Sequence, residues 1–350
     1  MREIDGASEP MVHDALEFAS PLMRWFYAST YNRMVAQAPL VWGEVYRRSE
    51  VPYHGRRQRG RTWLTMALCP GFLEASERYR PDAILCTQFL PSEVFGTLRA
   101  QGKLRVPVYT AITDFSVHPI WVYGGMDRYF VATEDVAEEL KETGEVPRER
   151  IEVTGVPIDP RFAVTIDAAD ARRALELDPD PARFTILLMG GGFGWGPIEG
   201  MLEVVLSMPD HVQALVVAGR NTALREALAA RARGFERRIK VHGFTDRVDL
   251  FLAASDLIVG KAGGLTCSEA MARGVPMAIF RPIPGQEDRN CDYLQESGAA
   301  VRVHDIEELR LRLMRFLAHP DLLSGMRAKA GAIGRPRSAY DVANLVMGHG

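Results

Sequence analysis

At 350 residues, with 47% apolar and 25% charged side chains, the chain has ordinary globular usage and is long for one core, so two domains are expected. Its net charge of −3 gives no bulk electrostatic case for a nucleic-acid partner. Cys69, Cys86, Cys267 and Cys291 are far apart and form no CxxC pair, which argues against a zinc site or a disulfide framework and for reduced thiols in a cytoplasmic setting. No run reaches the roughly 18 apolar residues of a membrane span, and no basic-then-apolar leader opens the chain.

The first elements are helical. Val12, Leu16, Ala19, Met23 and Phe26 follow a helical stripe, which Ser20-Pro21 is expected to break while starting a second helix. Trp25, Phe26, Tyr27, Tyr31, Trp42 and Tyr46 crowd this region, and the basic run Arg47, Arg48, His54, Arg56, Arg57, Arg59 and Arg61 follows. Two readings stay open: core aromatics beside a solvated charged loop, or an amphipathic face for an anionic membrane surface.

The middle of the chain alternates. "DAILCTQ" (82–88), "VPVYTAI" (106–112), "RYFVAT" (128–133) and "IEVTGVPI" (151–158) read as strands, with helices "PSEVFGTLRAQG" and "EDVAEELKETG" between them. "GVPIDPRF" (155–162), with its two prolines, reads as a hinge. Beyond it the alternation is clearer. "FTILLMG" (184–190) is a buried strand, "PIEGMLEVVLSM" (197–208) a helix and "VQALVVAG" a strand; "NTALREALAARA" is a helix with Asn221 as its N-cap. "IKVHGF", "DLIVG", "PMAIF" and "AAVRV" are strands, and "RVDLFLAAS" and "LTCSEAMAR" helices. Strands alternating with helices imply parallel sheets covered on both faces, with ligands outside the carboxyl ends of the strands. The expected organisation is 1–158, 159–330 and a C-terminal helical segment, 331–350, packing back on the first domain.

The stretch "KAGGLTCSEAMARGVPMAIFRPIPGQE" (261–287) carries most of the chemistry. Gly263 and Gly264 permit positive φ and close approach of a ligand. The N–H groups of Leu265, Thr266 and Cys267 open a helix whose dipole favours an anion, so a diphosphate suits this turn. Glu269 would repel phosphate, so it pairs with ribose hydroxyls, or else closes a capping box with Thr266. Gln286, Glu287 and Asn290 follow the next strand and suit sugar hydroxyls, or form a polar loop. "MGGGFGWG" (189–196) lacks both a P-loop ending and a dinucleotide fingerprint, so Gly191 and Gly192 read as flexible glycines at the ligand side. Arg220 neutralises phosphate or forms a surface ion pair. Phe244 offers its backbone to a base or packs in the core. In "TDFSVHPIW" (113–121), Asp114 and His118 form a pair able to take a hydroxyl proton, or His118 is structural. No metal-ligand cluster is found.

These glycines, Thr266-x-Ser268-Glu269-Ala270 and Pro284-Gly285-Gln286-Glu287 resemble glycosyltransferase family 28, and within it the diacylglycerol glucosyltransferases and monogalactosyldiacylglycerol synthases. "TDFSVHPIWV", "DRYFVATEDV", "VTGVPIDPRF" and "GRNTAL" match that group in order, from roughly Pro10 to Asn344. The resemblance implies an α/β protein of the GT-B type: two Rossmann-like parallel-sheet domains facing a cleft. It further implies inverting transfer from a UDP-hexose to diacylglycerol in an anionic membrane, a peripheral place on the inner face of the cell membrane, and no obligatory metal or cofactor. By position, Gly263, Gly264, Leu265 and Thr266 would hold the diphosphate, Glu269 the ribose, Gln286, Glu287 and Asn290 the sugar, and Phe244 the uracil. The family opens with a strand and a Gly-rich loop ending in a catalytic His. "MREIDGASEP" carries neither, so a first domain lacking that strand and loop is expected. GlcNAc transfer to a lipid-linked peptidoglycan precursor, UDP-sugar 2-epimerisation and a nucleotide-sugar-binding pseudoenzyme are the alternatives.

Overall fold

The computed structural model describes residues 1, 4–25, 39–49, 56–143, 145–194 and 196–348. They form two compact units. The first comprises Met1–Pro157 together with Pro284–Gln286 and Arg337–Gly350; the second comprises Ile158–Ile283 and Glu287–Pro336.

In the first unit, β1 (Ile84–Cys86), β2 (Val108–Ala111), β3 (Arg128–Val131) and β4 (Ile151–Val153) form a parallel sheet in the order β1-β2-β3-β4. The helix Phe89–Ala100 connects β1 to β2, and its N-terminus is capped by Gln88, whose Oε1 accepts from the Leu90 N–H at 2.7 Å. Its buried Val94 and Leu98 pack with Val108 and Ile112. The helix Glu134–Glu142 leads from β3 to β4, capped by Thr133. On another face, Val342 of the helix Ser338–Met347 packs with Ala111 and Phe130, and the Ser338 hydroxyl donates to the Val156 carbonyl at 2.7 Å.

The N-terminal stripe breaks at Ser20-Pro21 as expected and a one-turn helix (Pro21–Trp25) follows, but the part before the break is a short 3-10 turn (Ala15–Phe18) instead of a helix, and Val12 is almost fully exposed. Proline at position 21 begins the helix, and the Ser20 hydroxyl accepts from the Met23 N–H at 3.3 Å, as the Ser-Pro pair predicts. Residues 56–61, for which a charged loop and an amphipathic face both stayed open, open the helix Arg56–Leu68. Phe26, Tyr27, Tyr31 and His54, and the side chains of Trp42, Arg56, Arg57, Arg59 and Arg61, lie outside the described residues.

In the second unit, β5 (Phe184–Met189), β6 (Val212–Val217), β7 (Ile239–His242), β8 (Leu257–Gly260), β9 (Met277–Phe280) and β10 (Ala300–Val303) make a parallel sheet in the order β10-β9-β8-β5-β6-β7. Every residue of β6, β8 and β9 is buried. That is why these strands read as continuous apolar runs rather than alternating ones: helices cover both faces. The strand order reverses between β5 and β8, and such a switch point opens a crevice at the carboxyl ends of its strands. The turns after β5 and β8, which hold the two glycine clusters, both leave from that edge.

Candidate functional site

The helix Gly264–Ala272 starts directly beyond β8 with Gly263 as its N-cap. The Cys267 N–H is taken by the Gly263 carbonyl at 2.9 Å, so it is not among the free donors. Those of Gly264, Leu265 and Thr266 have no partner among the described residues, and with the helix dipole they are able to receive an anion. Gly263 has φ −66 and neither Gly263 nor Gly264 is left-handed, so positive φ is not what these glycines supply. A Cβ on Gly263 would meet nothing within 4 Å; the missing side chain leaves room for a ligand against the backbone.

The capping box is not formed. Gly263, not Thr266, is the N-cap, and no side chain caps this helix. Glu269 is half-buried, and among the described residues it makes no hydrogen bond or ion pair. Burial, reinforced by the Asp159 and Asp249 carboxylates, pushes its carboxyl up to about 7. A half-buried carboxyl without a partner among the described residues is a group suited to accepting from a ligand's hydroxyls.

Two carbonyls of the second glycine turn accept backbone hydrogen bonds. Gly191 has φ 71 and its carbonyl accepts from Gly194 N–H at 3.1 Å. The Gly192 carbonyl accepts from Arg220 N–H at 2.8 Å. Gly219 sits at φ 62 so close beneath that an added Cβ would lie 2.5 Å from the Gly192 oxygen; only glycine fits. Arg220 is exposed and forms no salt bridge among the described residues, which disposes of the surface-ion-pair reading. Its guanidinium lies 4.8 Å from the centre of the Phe244 ring. Phe244 is 58% exposed, so it is not a core residue.

Asn290 is fully buried and its amide donates to the Ala262 carbonyl at 2.9 Å. It therefore braces the turn before the anion site from below, instead of lying open to a sugar. The Glu287 carboxylate accepts from Ile283 N–H at 2.9 Å. Lys261, which the sequence reading passed over, is half-buried between β8 and the glycines. Burial depresses its ammonium and Glu287 works against that shift. A lysine two residues before a Gly-Gly helix start was the signal available.

In the first unit, Asp114 and His118 lie in the loop after β2, 4% and 5% exposed. His118 caps the 3-10 turn Pro119–Trp121: its Nδ1 accepts from Ile120 N–H at 3.1 Å. With Nδ1 an acceptor, a neutral ring carries its proton on Nε2, which lies 3.1 Å from the Ser49 hydroxyl; that hydroxyl donates to the Tyr46 carbonyl at 2.7 Å. The ring is thus held at both nitrogens. The Asp114 carboxylate accepts from the Gln286 amide at 2.5 Å. Among the described residues no group of three or more His, Cys, Asp or Glu is placed to hold a metal ion.

A family model described as monogalactosyldiacylglycerol (MGDG) synthase matches residues 2–158, and one described as glycosyl transferases group 1 matches 184–335. A processive diacylglycerol beta-glucosyltransferase of Bacillus cytotoxicus is 32% identical over 269 residues, 77% of this chain and 68% of that protein. The chain belongs to glycosyltransferase family 28, in the group of the diacylglycerol glucosyltransferases and monogalactosyldiacylglycerol synthases. Another relative of the same name, from Bacillus subtilis (strain 168), is 34% identical over 256 residues; these cover 73% of this chain and 65% of that protein, just under two thirds of its length. The fold is GT-B. Among solved structures, Acinetobacter baumannii MurG aligns with a TM-score of 0.57 at 17% identity, covering 82% of this chain and 79% of MurG. A UDP co-structure of S. aureus MnaA aligns at 0.60 and 16%, covering 84% and 82%. At those identities the likeness is one of fold.

Proposed function

We propose that the protein transfers a hexose from a UDP-sugar to diacylglycerol with inversion at the anomeric carbon. The observation that carries the donor half is the unmet Glu269 carboxyl one turn into the helix whose first N–H groups are open. An anion and a hydroxyl pair are what those two features can bind together. The diphosphate takes the N–H groups of Gly264, Leu265 and Thr266, Arg220 adds a positive charge, and Glu269 accepts from the ribose hydroxyls. Phe244, exposed on the turn after β7, meets the uracil, and Gln286 and Glu287 meet the hexose.

In this reading the acceptor hydroxyl oxygen attacks the anomeric carbon from the face opposite UDP. The bond from that carbon to the phosphate oxygen breaks, and UDP leaves with the electron pair, stabilised by the helix N-terminus and Arg220. Asp114 takes the hydroxyl proton, with His118 holding the loop that carries it.

The acceptor half rests on kinship with diacylglycerol glucosyltransferases and on the surface of the first unit. Trp63 is 72% exposed and Leu64 52% on the helix Arg56–Leu68, and Leu22 and Trp25 are exposed on the helix Pro21–Trp25. Among the described residues no helix is long and apolar enough to cross a membrane. Attachment is therefore proposed as peripheral, through these apolar side chains and the arginines beside them. The test is a panel of UDP-glucose, UDP-galactose and UDP-GlcNAc against diacylglycerol in anionic vesicles, with products read by mass spectrometry. A hexosyl-diacylglycerol is expected. Turnover of UDP-GlcNAc alone, or a free epimer without glycolipid, would replace this reading with one of its rivals.

A further inference from the structure

The helix Pro39–Ser49 touches two loops that the sequence gives no reason to join. Gly43 and Tyr46 are three residues apart and so share a face. A Cβ on Gly43 would lie 2.6 Å from the Pro284 Cβ, so the helix backbone itself rests on that proline. Tyr46 is pressed against Gly285, where an added Cβ would lie 2.5 Å from the tyrosine ring. Gly285 has φ 101 and can be only glycine in comfort. On its other side the Tyr46 ring lies 4.6 Å from the His118 ring, tilted by 54°. Ser49, the last residue of the helix, is 3.1 Å from His118 Nε2. The contacts close a ring: Tyr46 to Gly285, Gln286 to Asp114 at 2.5 Å, and Asp114 to His118 through four residues of one loop.

We propose that Tyr46 is a positioning residue for the donor hexose: wedged between His118 and Gly285, it fixes where Gln286 stands against Asp114. This rests on the reading above that Gln286 meets the sugar. One Gln286 N–H is held by Asp114, so the amide plane is set and Oε1 faces a defined direction. Without the Tyr46 ring, Gly285 loses its stop, and a side chain free to swing gives up a hydrogen bond to the hexose. The nucleotide contacts belong to other residues and should not notice.

The experiment is calorimetric titration of the full chain with UDP and, separately, with UDP-glucose. Tyr46→Ala should raise the ratio of the UDP-glucose Kd to the UDP Kd about tenfold, the value of one lost hydrogen bond, with the UDP Kd unmoved. Tyr46→Phe keeps the ring and should keep the ratio. Gly43→Ala, which pushes the helix off Pro284, should act like Tyr46→Ala, and it serves if Tyr46→Ala does not fold. An unchanged ratio in Tyr46→Ala and Gly43→Ala, equal weakening of both ligands, or a Tyr46→Phe as impaired as Tyr46→Ala would each overturn the proposal. A wild-type chain that binds UDP-glucose yet glycosylates no diacylglycerol would sink the proposed function and leave this ratio readable. One that binds UDP but none of UDP-glucose, UDP-galactose and UDP-GlcNAc would end both.

Discussion

The two candidate half-sites are built on opposite plans. In the second unit, Asn290 and Glu287 apart, polar groups lack partners among the described residues: three N–H groups, the Glu269 carboxyl, and an arginine resting on an exposed ring. In the first, Asp114 and His118 are buried and engaged by Gln286, Ile120 and Ser49. An open set of donors and acceptors suits a ligand that brings its own charges and hydroxyls. A closed set suits a group whose position matters more than its affinity. On the proposed function, nucleotide binding belongs to the second unit and proton transfer to the first, and each substitution below separates them.

The largest effect is expected at the closed set. Asp114→Asn should lower the transfer rate by roughly 100-fold or more if Asp114 takes the hydroxyl proton. A loss of only a few-fold would reduce Asp114 to the hydrogen-bond partner of Gln286. Next is the open set. Glu269→Ala should weaken UDP by about 30-fold, the value of hydrogen bonds to a charged group, and a change below twofold would mean the carboxyl does not meet the ribose.

The same residue predicts a pH dependence with a definite sign. Folded Glu269 holds its proton up to about 7, against an ordinary value of 4.5. Between these the folded state binds more protons than the unfolded one. This contribution to stability is thus fully present below 4.5 and is lost as pH rises through about 7. Ribose hydroxyls donate to the ionised form, so UDP affinity should climb with pH towards 7 and level off above. Glu269→Gln should flatten both profiles; an unchanged slope in that variant would place the titration elsewhere.

The smallest and most salt-sensitive effect concerns the surface. Replacing Arg56, Arg57, Arg59 and Arg61 by glutamine should cost about 1 kcal/mol of binding to anionic vesicles per residue near the surface, and Trp63→Ser should weaken what remains in high salt. Co-sedimentation that ignores both changes would return the helix to ordinary solvated surface.

Much of this was legible in the sequence, for physical reasons. The strands of the second unit announce themselves because a sheet covered on both faces needs unbroken apolar runs, as in "TILLM" and "LIVG". Asn221 was readable as a cap because its amide bonds Leu224 locally, at 3.0 Å. The N-terminal stripe misled before its break at Ser20-Pro21: its apolar spacing suits a helix, but the segment is only a short 3-10 turn, Ala15–Phe18. Contacts distant in sequence left no trace: nothing in "GEVY" or "IPGQ" says that Tyr46 meets Gly285, or that Gln286 reaches 172 residues back to Asp114. The burial of Asn290 was equally hidden, since an asparagine one turn into a helix looks solvated until the Ala262 carbonyl is seen against it.

The division between the units is tested most directly by measuring UDP affinity and glycolipid formation side by side in Glu269→Ala and Asp114→Asn. The account predicts that Glu269→Ala loses UDP affinity, while Asp114→Asn binds UDP as the wild type does and forms almost no glycolipid. If Asp114→Asn loses UDP as severely as Glu269→Ala, or Glu269→Ala binds UDP normally, binding and chemistry are not divided as described.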